Sequence, residues 1–379
     1  MILKLRKLAI DMRRTKSTLS DGRDIFYFDL DDSPNRLQSD KRELSSEPVS
    51  QGSMRYDLLT GEWVAIAGHR QQRVLHPGKD VCPLCPSNED NQSEIPEESY
   101  DVVVFENRFP SFSGGFVQAV EFIDPDWGAE VPAAGRCEVI AYTSDHAGSI
   151  GSLTTSEMQL VINAWMDRAA ELAKIKEIEY IFIFENRGAE VGVTLHHPHG
   201  QIYGYPYIPT YVTKLLNQAK KYRAKHNRSM LDDVVARELL SDERIVYQDS
   251  NWVAFVPHAA RWPFEVQVHP LRNFGYLAEL NEREFQSLAY FLPVLVTALD
   301  QLFMAPLPYM AGWIQAPLRD KASIADARLF LRLVSVQRGE GKLKYLAGSE
   351  SLMGAWISDV LPEDAASRIR AAIKTVQSQ

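Results

Sequence analysis

The sequence predicts an α+β chain in which one unit of strands and a packed helix is used twice, and three observations carry this. Short apolar or alternating runs bounded by Gly, Pro, Asn and Asp recur along the chain, among them 100–105, 137–142 and 180–184. Two stretches have capping-box spacing ahead of an apolar stripe at helical period, Thr154 with Glu157 and Asn281 with Glu284. Aligning Glu138-Val139 with Glu265-Val266 brings the two boxes into register with no gap, and it pairs Val161 with Leu288, Trp165 with Leu292 and Leu172 with Leu299. A repeated order of strand, cap and helix argues for a duplicated unit.

Composition bounds the function. The chain has 379 residues, 45% of them apolar, enough for a substantial core. Its formal net charge of −9 argues against nucleic-acid or anionic-membrane binding, since a polyanion is repelled over most of the surface. An anionic ligand must therefore meet a local basic pocket. Three cysteines, Cys82, Cys85 and Cys137, are an odd and sparse set that suits metal or redox work better than a disulfide framework, and a cytoplasmic location is expected. The basic stretch 1–16 lacks the apolar core and small-residue cleavage pattern of a signal peptide, and no segment approaches the roughly 20 apolar residues of a membrane span.

Residues 1–53 are polar and read as a surface arm, with one apolar patch at 25–28 after the turn signal Asp21-Gly22. The first half is taken as 54–209. It opens with a turn and strand over 55–66 and a short loop, Gly68-His69-Arg70-Gln71-Gln72-Arg73, whose two arginines either are solvated or grip phosphate. Val81-Cys82-Pro83-Leu84-Cys85-Pro86 is a tight turn with two thiols facing one point, half of a zinc site. The plain alternative is two unpaired small residues in a loop; a thioredoxin-like pair fits less well, because no helix pattern starts at the first Cys. The strand 100–105 runs into the turn Glu106-Asn107-Arg108-Phe109-Pro110, and 137–142 ends at Ser144-Asp145-His146. The helix capped by Thr154 then leads to the strand 180–184, the glycine-bearing link 185–192 and His196-His197-Pro198-His199-Gly200-Gln201.

The second half, 210–379, begins with a helical stretch at 213–238 whose basic run 220–228 reads as a solvated face. The turn at 255–263 echoes 105–110, so the first copy carries an insertion between Pro110 and Glu138. Where the histidine cluster would recur, at 329–334, no histidine stands, and Asn273 falls opposite His146. The first half is thus expected to hold the chemistry, with His258 and His269 left to packing.

In an extended segment, side chains two apart share a face, so His197, His199 and Gln201 line one surface. One reading makes all the histidines metal ligands. The other divides them, and two facts favour it: zinc needs four ligands, and Cys82, Cys85, His146 and His197 already supply them. His199 then remains for catalysis. A neutral imidazole attacks phosphorus well and leaves readily once protonated, provided its other ring nitrogen is held, most cheaply by a backbone carbonyl of this loop. Gln201 holds a phosphoryl oxygen without titrating, and Gly188, Gly192 and Gly200 let backbone amides approach a phosphate.

Phe184-Glu185-Asn186-Arg187-Gly188, Gly192-Val193-Thr194, His197-Pro198-His199-Gly200-Gln201-Ile202, Leu59-Thr60-Gly61-Glu62-Trp63-Val64 with His69-Arg70, Cys82-Pro83-Leu84-Cys85 and Lys342-Leu343-Lys344-Tyr345-Leu346-Ala347-Gly348-Ser349-Glu350 together resemble the galactose-1-phosphate uridylyltransferase family of the histidine-triad superfamily. The resemblance runs from about residue 54 to the C-terminus. It implies two histidine-triad-like halves, each an antiparallel sheet with packed helices, and a homodimer with shared active sites. It also implies a ping-pong reaction: the histidine matching His199 takes UMP from UDP-glucose, and galactose-1-phosphate receives it. By the same matching Arg70, Arg73, Asn107, Asn186, Gly192, Thr194 and Gln201 surround the nucleotide, while Lys344 and Glu350 touch the hexose phosphate of the neighbouring subunit. Zinc is expected as one structural ion per chain. Some members carry a second metal; here Leu215 stands where its Glu would fall and the second-half histidines are replaced, so none is expected. Two alternatives remain: a transferase or phosphorylase of the same superfamily using ADP- or GDP-hexose, and a non-catalytic nucleotide-binding protein.

Overall fold

The structure, a computed structural model, describes residues 12–30, 35–45, 52–72, 79–114, 121–124 and 128–379. Strands β1 (Met12–Thr18) and β2 (Asp24–Leu30) form a hairpin about the Asp21-Gly22 turn. The apolar patch at 25–28 is therefore a strand, and within the stretch read as a surface arm β2 is buried and pairs with β5 (Val102–Glu106) in the main sheet. A second hairpin, β3 (Ser53–Asp57) and β4 (Glu62–Ile66), turns at Gly61, whose φ of 72° favours glycine. Residues 55–57, expected as a turn, lie in β3. The excursion between Pro110 and Glu138 contributes β6 (Glu121–Asp124) and β7 (Gly128–Pro132), which join that hairpin in a small sheet ordered β4-β3-β7-β6.

The first unit continues with β8 (Arg136–Ala141), α1 (Thr155–Leu172), β9 (Tyr180–Arg187) and β10 (His199–Tyr205). Helix α1 begins as its sequence requires, with the Thr154 side chain accepting from Glu157 N–H and Glu157 accepting from Thr154 N–H. The connecting stretch forms two helices rather than one, α2 (Thr210–His226) and α3 (Met230–Ser241). Asn227, at φ 53°, ends α2 in the left-handed region, and Ser229 caps α3 by accepting from Asp232 N–H.

The second unit holds β11 (Ile245–Gln248), β12 (Trp252–Phe255), β13 (Val266–Pro270), α4 (Glu282–Gln301), β14 (Tyr309–Ile314), a four-residue turn of helix α5 (Lys321–Ile324) and β15 (Phe330–Ser335). A small hairpin of β16 (Gln337–Gly339) and β17 (Lys342–Leu343), then α6 (Gly348–Met353) and α7 (Pro362–Gln377), complete the chain. The main sheet has the order β1-β2-β5-β8-β10-β9-β14-β15-β13-β12-β11, antiparallel at every pair. The two units meet at β9 and β14, so β5-β8-β10-β9 is answered by β12-β13-β15-β14. Helices α1 and α4 pack together over one face of this sheet and bury the main core, while His199 and Gln201 of β10 face the other side.

The duplication holds, but the gap-free alignment does not extend into the strands. Ile140 and Tyr142 face the core in the first copy, and Val266 and Val268 do so in the second. Pairing Val139 with Val266 would put one outside and the other inside, since a slip of one residue reverses a strand's faces. Preserving the faces aligns Gln201, which sits opposite Val139 and Phe184, with Arg332, which sits opposite Gln267 and Gly312. Phe330 then occupies the place of His199, and its ring stacks on buried His269.

Candidate active site and metal centre

The Cys82–Cys85 turn, the end of β8 and the start of β10 converge. One ligand atom from each of Cys82, Cys85, His146 and His197 lies within 4.8 Å of the others. Cys85 Sγ is 3.3 Å from His146 Nδ1 and 3.5 Å from His197 Nδ1. Tetrahedral zinc with ordinary bond lengths requires a sulfur–nitrogen separation of about 3.6 Å, so the cluster fits the ion. Burial pushes the His197 imidazole down to about 4, keeping it neutral as a ligand must be. Its Nε2 lies 2.8 Å from both the Thr143 carbonyl and the Tyr100 hydroxyl, and that hydroxyl donates to the Leu84 carbonyl at 2.7 Å. The ring is thus oriented from its far side by the Cys82–Cys85 turn itself.

Two residues on, His199 opens β10 opposite Ala141. Its Nδ1–H donates to the His197 backbone carbonyl at 2.8 Å, which puts the ring's lone pair on Nε2. Gln201 shares the outer face, and its Oε1 accepts from Tyr203 O–H at 2.9 Å, turning the amide NH₂ outward. Gly200 points the other way. A Cβ there would overlap the Tyr142 hydroxyl and stand 2.8 Å from Phe184 O, so the space this glycine leaves lies on the core side and lets the strand lie close on the core.

The loop 68–72 forms a 3-10 turn against the Asn107–Ser111 turn: His69 Nε2 is 3.0 Å from Pro110 O, and Arg70 donates to Ser111 Oγ. Burial pushes the Tyr203 phenol up, against the charge of Arg70 and a hydrogen bond with Ser111. Asn107 N–H donates to Cys137 O at 2.9 Å, and its Oδ1 accepts from Phe109 N–H at 2.9 Å. Arg73 lies outside the described residues. On the other flank, Asn186 stands on β9 opposite Met310. Gly192, at φ 80°, closes the turn that leads to half-buried Thr194. Gly188, at φ 100°, leaves no room for a side chain beside Pro308. His196 is exposed.

Lys344 and Glu350 are buried against each other, with Lys344 Nζ 3.0 Å from Glu350 Oε1 and also donating to Ile357 O. Sequence reasoning missed a cavity of about 500 Å³ on the outer face of the sheet, lined by Asn186, Phe182, Phe184, Tyr205, Tyr211, Trp262, Met310, Arg332 and Trp356 among others. The alternation of Tyr180, Phe182 and Phe184 was its only sequence signal. Gly312 shapes the floor, because a Cβ there would overlap the Phe182 ring. Arg332 is held by Glu265 at 2.8 Å and lies 5.2 Å from the Tyr211 ring centre.

The duplicated antiparallel sheet, with His199 next to the cysteine–histidine cluster, goes with the class of transferases, to which the comparisons assign the chain. Family models described as galactose-1-phosphate uridyl transferase, N-terminal domain and C-terminal domain, match residues 42–209 and 215–379, and the chain belongs to that family. It is 38% identical to a galactose-1-phosphate uridylyltransferase of Streptomyces lividans, over 81% of each chain. It is 34% identical to that of Thermotoga maritima, over 84% of this chain and 97% of the other. A solved uridylyltransferase structure, 30% identical, superposes with a TM-score of 0.74 over 85% of this chain and 99% of its own. Among the described residues no helix is long and apolar enough to cross a membrane.

Proposed function

We propose that this chain moves UMP from UDP-glucose to galactose-1-phosphate through a uridylyl-histidine intermediate on His199. The observation that carries the reading is the 2.8 Å bond from His199 Nδ1 to the His197 carbonyl, which sets the tautomer a nucleophile needs. The Nε2 lone pair attacks the α-phosphorus, the bond from that phosphorus to the bridging oxygen breaks, and glucose-1-phosphate leaves. The positive charge gained by the imidazole is met by the His197 carbonyl. A phosphate oxygen of galactose-1-phosphate then attacks the same phosphorus, the N–P bond breaks, and neutral imidazole returns. Both leaving groups depart without an added proton, so Gln201 suits its position better than a titrating group: its NH₂ holds a non-bridging oxygen and offers water no base.

Cys82, Cys85, His146 and His197 would hold one zinc ion, whose work is to fix the backbone from which His199 is oriented. Arg70, Arg73 and Asn107 are assigned to the nucleotide side, and Asn186, Gly192 and Thr194 to the opposite flank. Lys344 and Glu350 are assigned to the hexose phosphate of a neighbouring subunit in a homodimer. Two features support a second copy: the aromatic cavity on the outer face, and the exposed apolar side chains of Tyr345, Leu346, Leu352, Met353, Ile357 and Leu361. Residues 54–209 supply the chemistry and 210–379 the degenerate half; a reducing cytoplasm keeps the thiol ligands available.

The test is incubation with UDP-glucose labelled at the α-phosphate, followed by removal of free ligand. One labelled histidine is expected, and His199→Gly should abolish it. Label from ADP- or GDP-glucose alone would overturn the uridylyl assignment, and no label from any nucleoside diphosphate sugar would overturn the enzyme reading.

A further inference from the structure

We propose that Arg23 is a positioning residue that couples the metal turn to the Asn107 turn, so that the hairpin β1–β2 sets the geometry of both. This rests on the metal and nucleotide roles proposed above. Arg23 lies ahead of residue 42, where the family match begins. Its guanidinium is used on three edges. Nε donates to Asp21 Oδ2 at 2.7 Å, Nη1 to the Glu106 carbonyl at 2.7 Å and Nη2 to Glu94 Oε2 at 2.6 Å. The Glu106 carbonyl is the last before Asn107, whose N–H is tied to Cys137 O at 2.9 Å. Glu94 reaches the other turn through its backbone, donating its N–H to Pro83 O at 3.0 Å between Cys82 and Cys85.

Arg42 and Arg108 supply further cations to Glu94, at 2.7 and 3.8 Å, while the Asp21 carboxylate faces the Arg23 guanidinium at 2.7 Å and holds it in place. The packing runs the same way. Leu19, Ile25 and Tyr27 of the hairpin share one apolar cluster with Cys82 and Leu84 of the metal turn. The geometry depends on a planar fork: a lysine at position 23 is a point charge that meets Glu94 or the Glu106 carbonyl, not both.

The test compares Arg23→Ala, Arg23→Lys and the control Arg14→Ala, which loses an ion pair to Asp167 from the same hairpin. Hydrogen exchange at the Glu94 and Asn107 amides, zinc release to a chromogenic chelator, and UDP-glucose kinetics in zinc-saturated buffer are measured. For Arg23→Ala, exchange about tenfold faster at both amides is expected, with β13 and β14 unchanged, together with zinc release about tenfold faster. KM should rise about tenfold and kcat stay within about twofold. Arg23→Lys should restore one turn only, and Arg14→Ala should leave all readouts at wild type. Unchanged exchange, or a response confined to one turn in Arg23→Ala, overturns the proposal. If Arg23→Ala does not fold, Arg23→Gln, which keeps a polar side chain and loses the charged fork, must loosen both turns in parallel or the proposal fails. The exchange readout needs neither metal nor substrate, so a chain that labels no histidine can still show the coupling.

Discussion

His199 is bonded through its Nδ1–H to the backbone carbonyl of His197, at 2.8 Å, while the His197 ring belongs to the cluster with Cys82, Cys85 and His146. The group proposed to attack phosphorus is therefore oriented from the backbone of a residue proposed to hold the metal. Stripping the zinc that this cluster is proposed to hold is expected to lower kcat by about 10–100-fold, the usual cost of disturbing an outer-shell partner, with a smaller change in KM. Zinc readdition should restore turnover. Steady-state kinetics on apo and reloaded protein check this, and an apo protein with undiminished kcat would sink it.

Gln201 and Tyr203 give the second prediction. The Tyr203 hydroxyl donates to Gln201 Oε1 at 2.9 Å, so the amide cannot rotate its oxygen outward without losing that bond. Tyr203→Phe removes it at little change of shape, and a net loss of about 1 kcal/mol corresponds to roughly fivefold in rate. The expected result is a fall of about fivefold in kcat/KM, with labelling of His199 retained. Equal kcat/KM in the two proteins would mean that Gln201 is oriented by something else.

Glu185 sits on the core face of β9, buried, between Phe184 and Asn186 on the outer face. Burial pushes its carboxyl up from 4.5 to about 7, outweighing the Tyr309 hydroxyl, 3.0 Å away, and the charge of Arg187. Arg187 itself is turned to Asp300 at 2.9 Å. The folded state thus keeps a proton that the unfolded chain releases between pH 4.5 and about 7. This contribution is full below 4.5 and is lost as pH rises through about 7. Glu185→Gln should remove this slope and be more stable than wild type at pH 8, by at most roughly 3 kcal/mol. Urea denaturation of both proteins across pH 4.5 to 8 checks it; a stability difference independent of pH would refute the assignment.

What was legible in the sequence was local. Thr154 and Asn281 announced their helices because a cap is decided within four residues, and both capping boxes are present. Cys82, Cys85, His146 and His197 were legible as a set because few side chains bind zinc. The strand faces were not: Val139-Ile140-Ala141 and Val266-Gln267-Val268 are apolar enough on both sides to hide a slip of one residue. The apolar patch at 25–28 was visible, but its partner β5 is distant in the chain, and so its membership of the main sheet was hidden. Arg23 looked like one more charge in a polar arm, since nothing nearby in sequence points to Glu94 or Glu106.

Gly200 was read as room for phosphate, because a glycine looks the same whichever face it opens. The structure opens it on the core side, with the Tyr142 hydroxyl lying where a side chain would go. Gly200→Ala should therefore destabilise the protein by about 1–3 kcal/mol through overpacking, and displace His199 and Gln201 on either side of it. Tyr142→Phe removes the overlapping oxygen, so the double variant should recover part of both losses, a coupling of at least about 0.5 kcal/mol. Had the glycine served phosphate approach, Gly200→Ala would impair labelling of His199 without loss of stability, and Tyr142→Phe would rescue nothing. Urea denaturation and the labelling assay on the single and double variants separate the two.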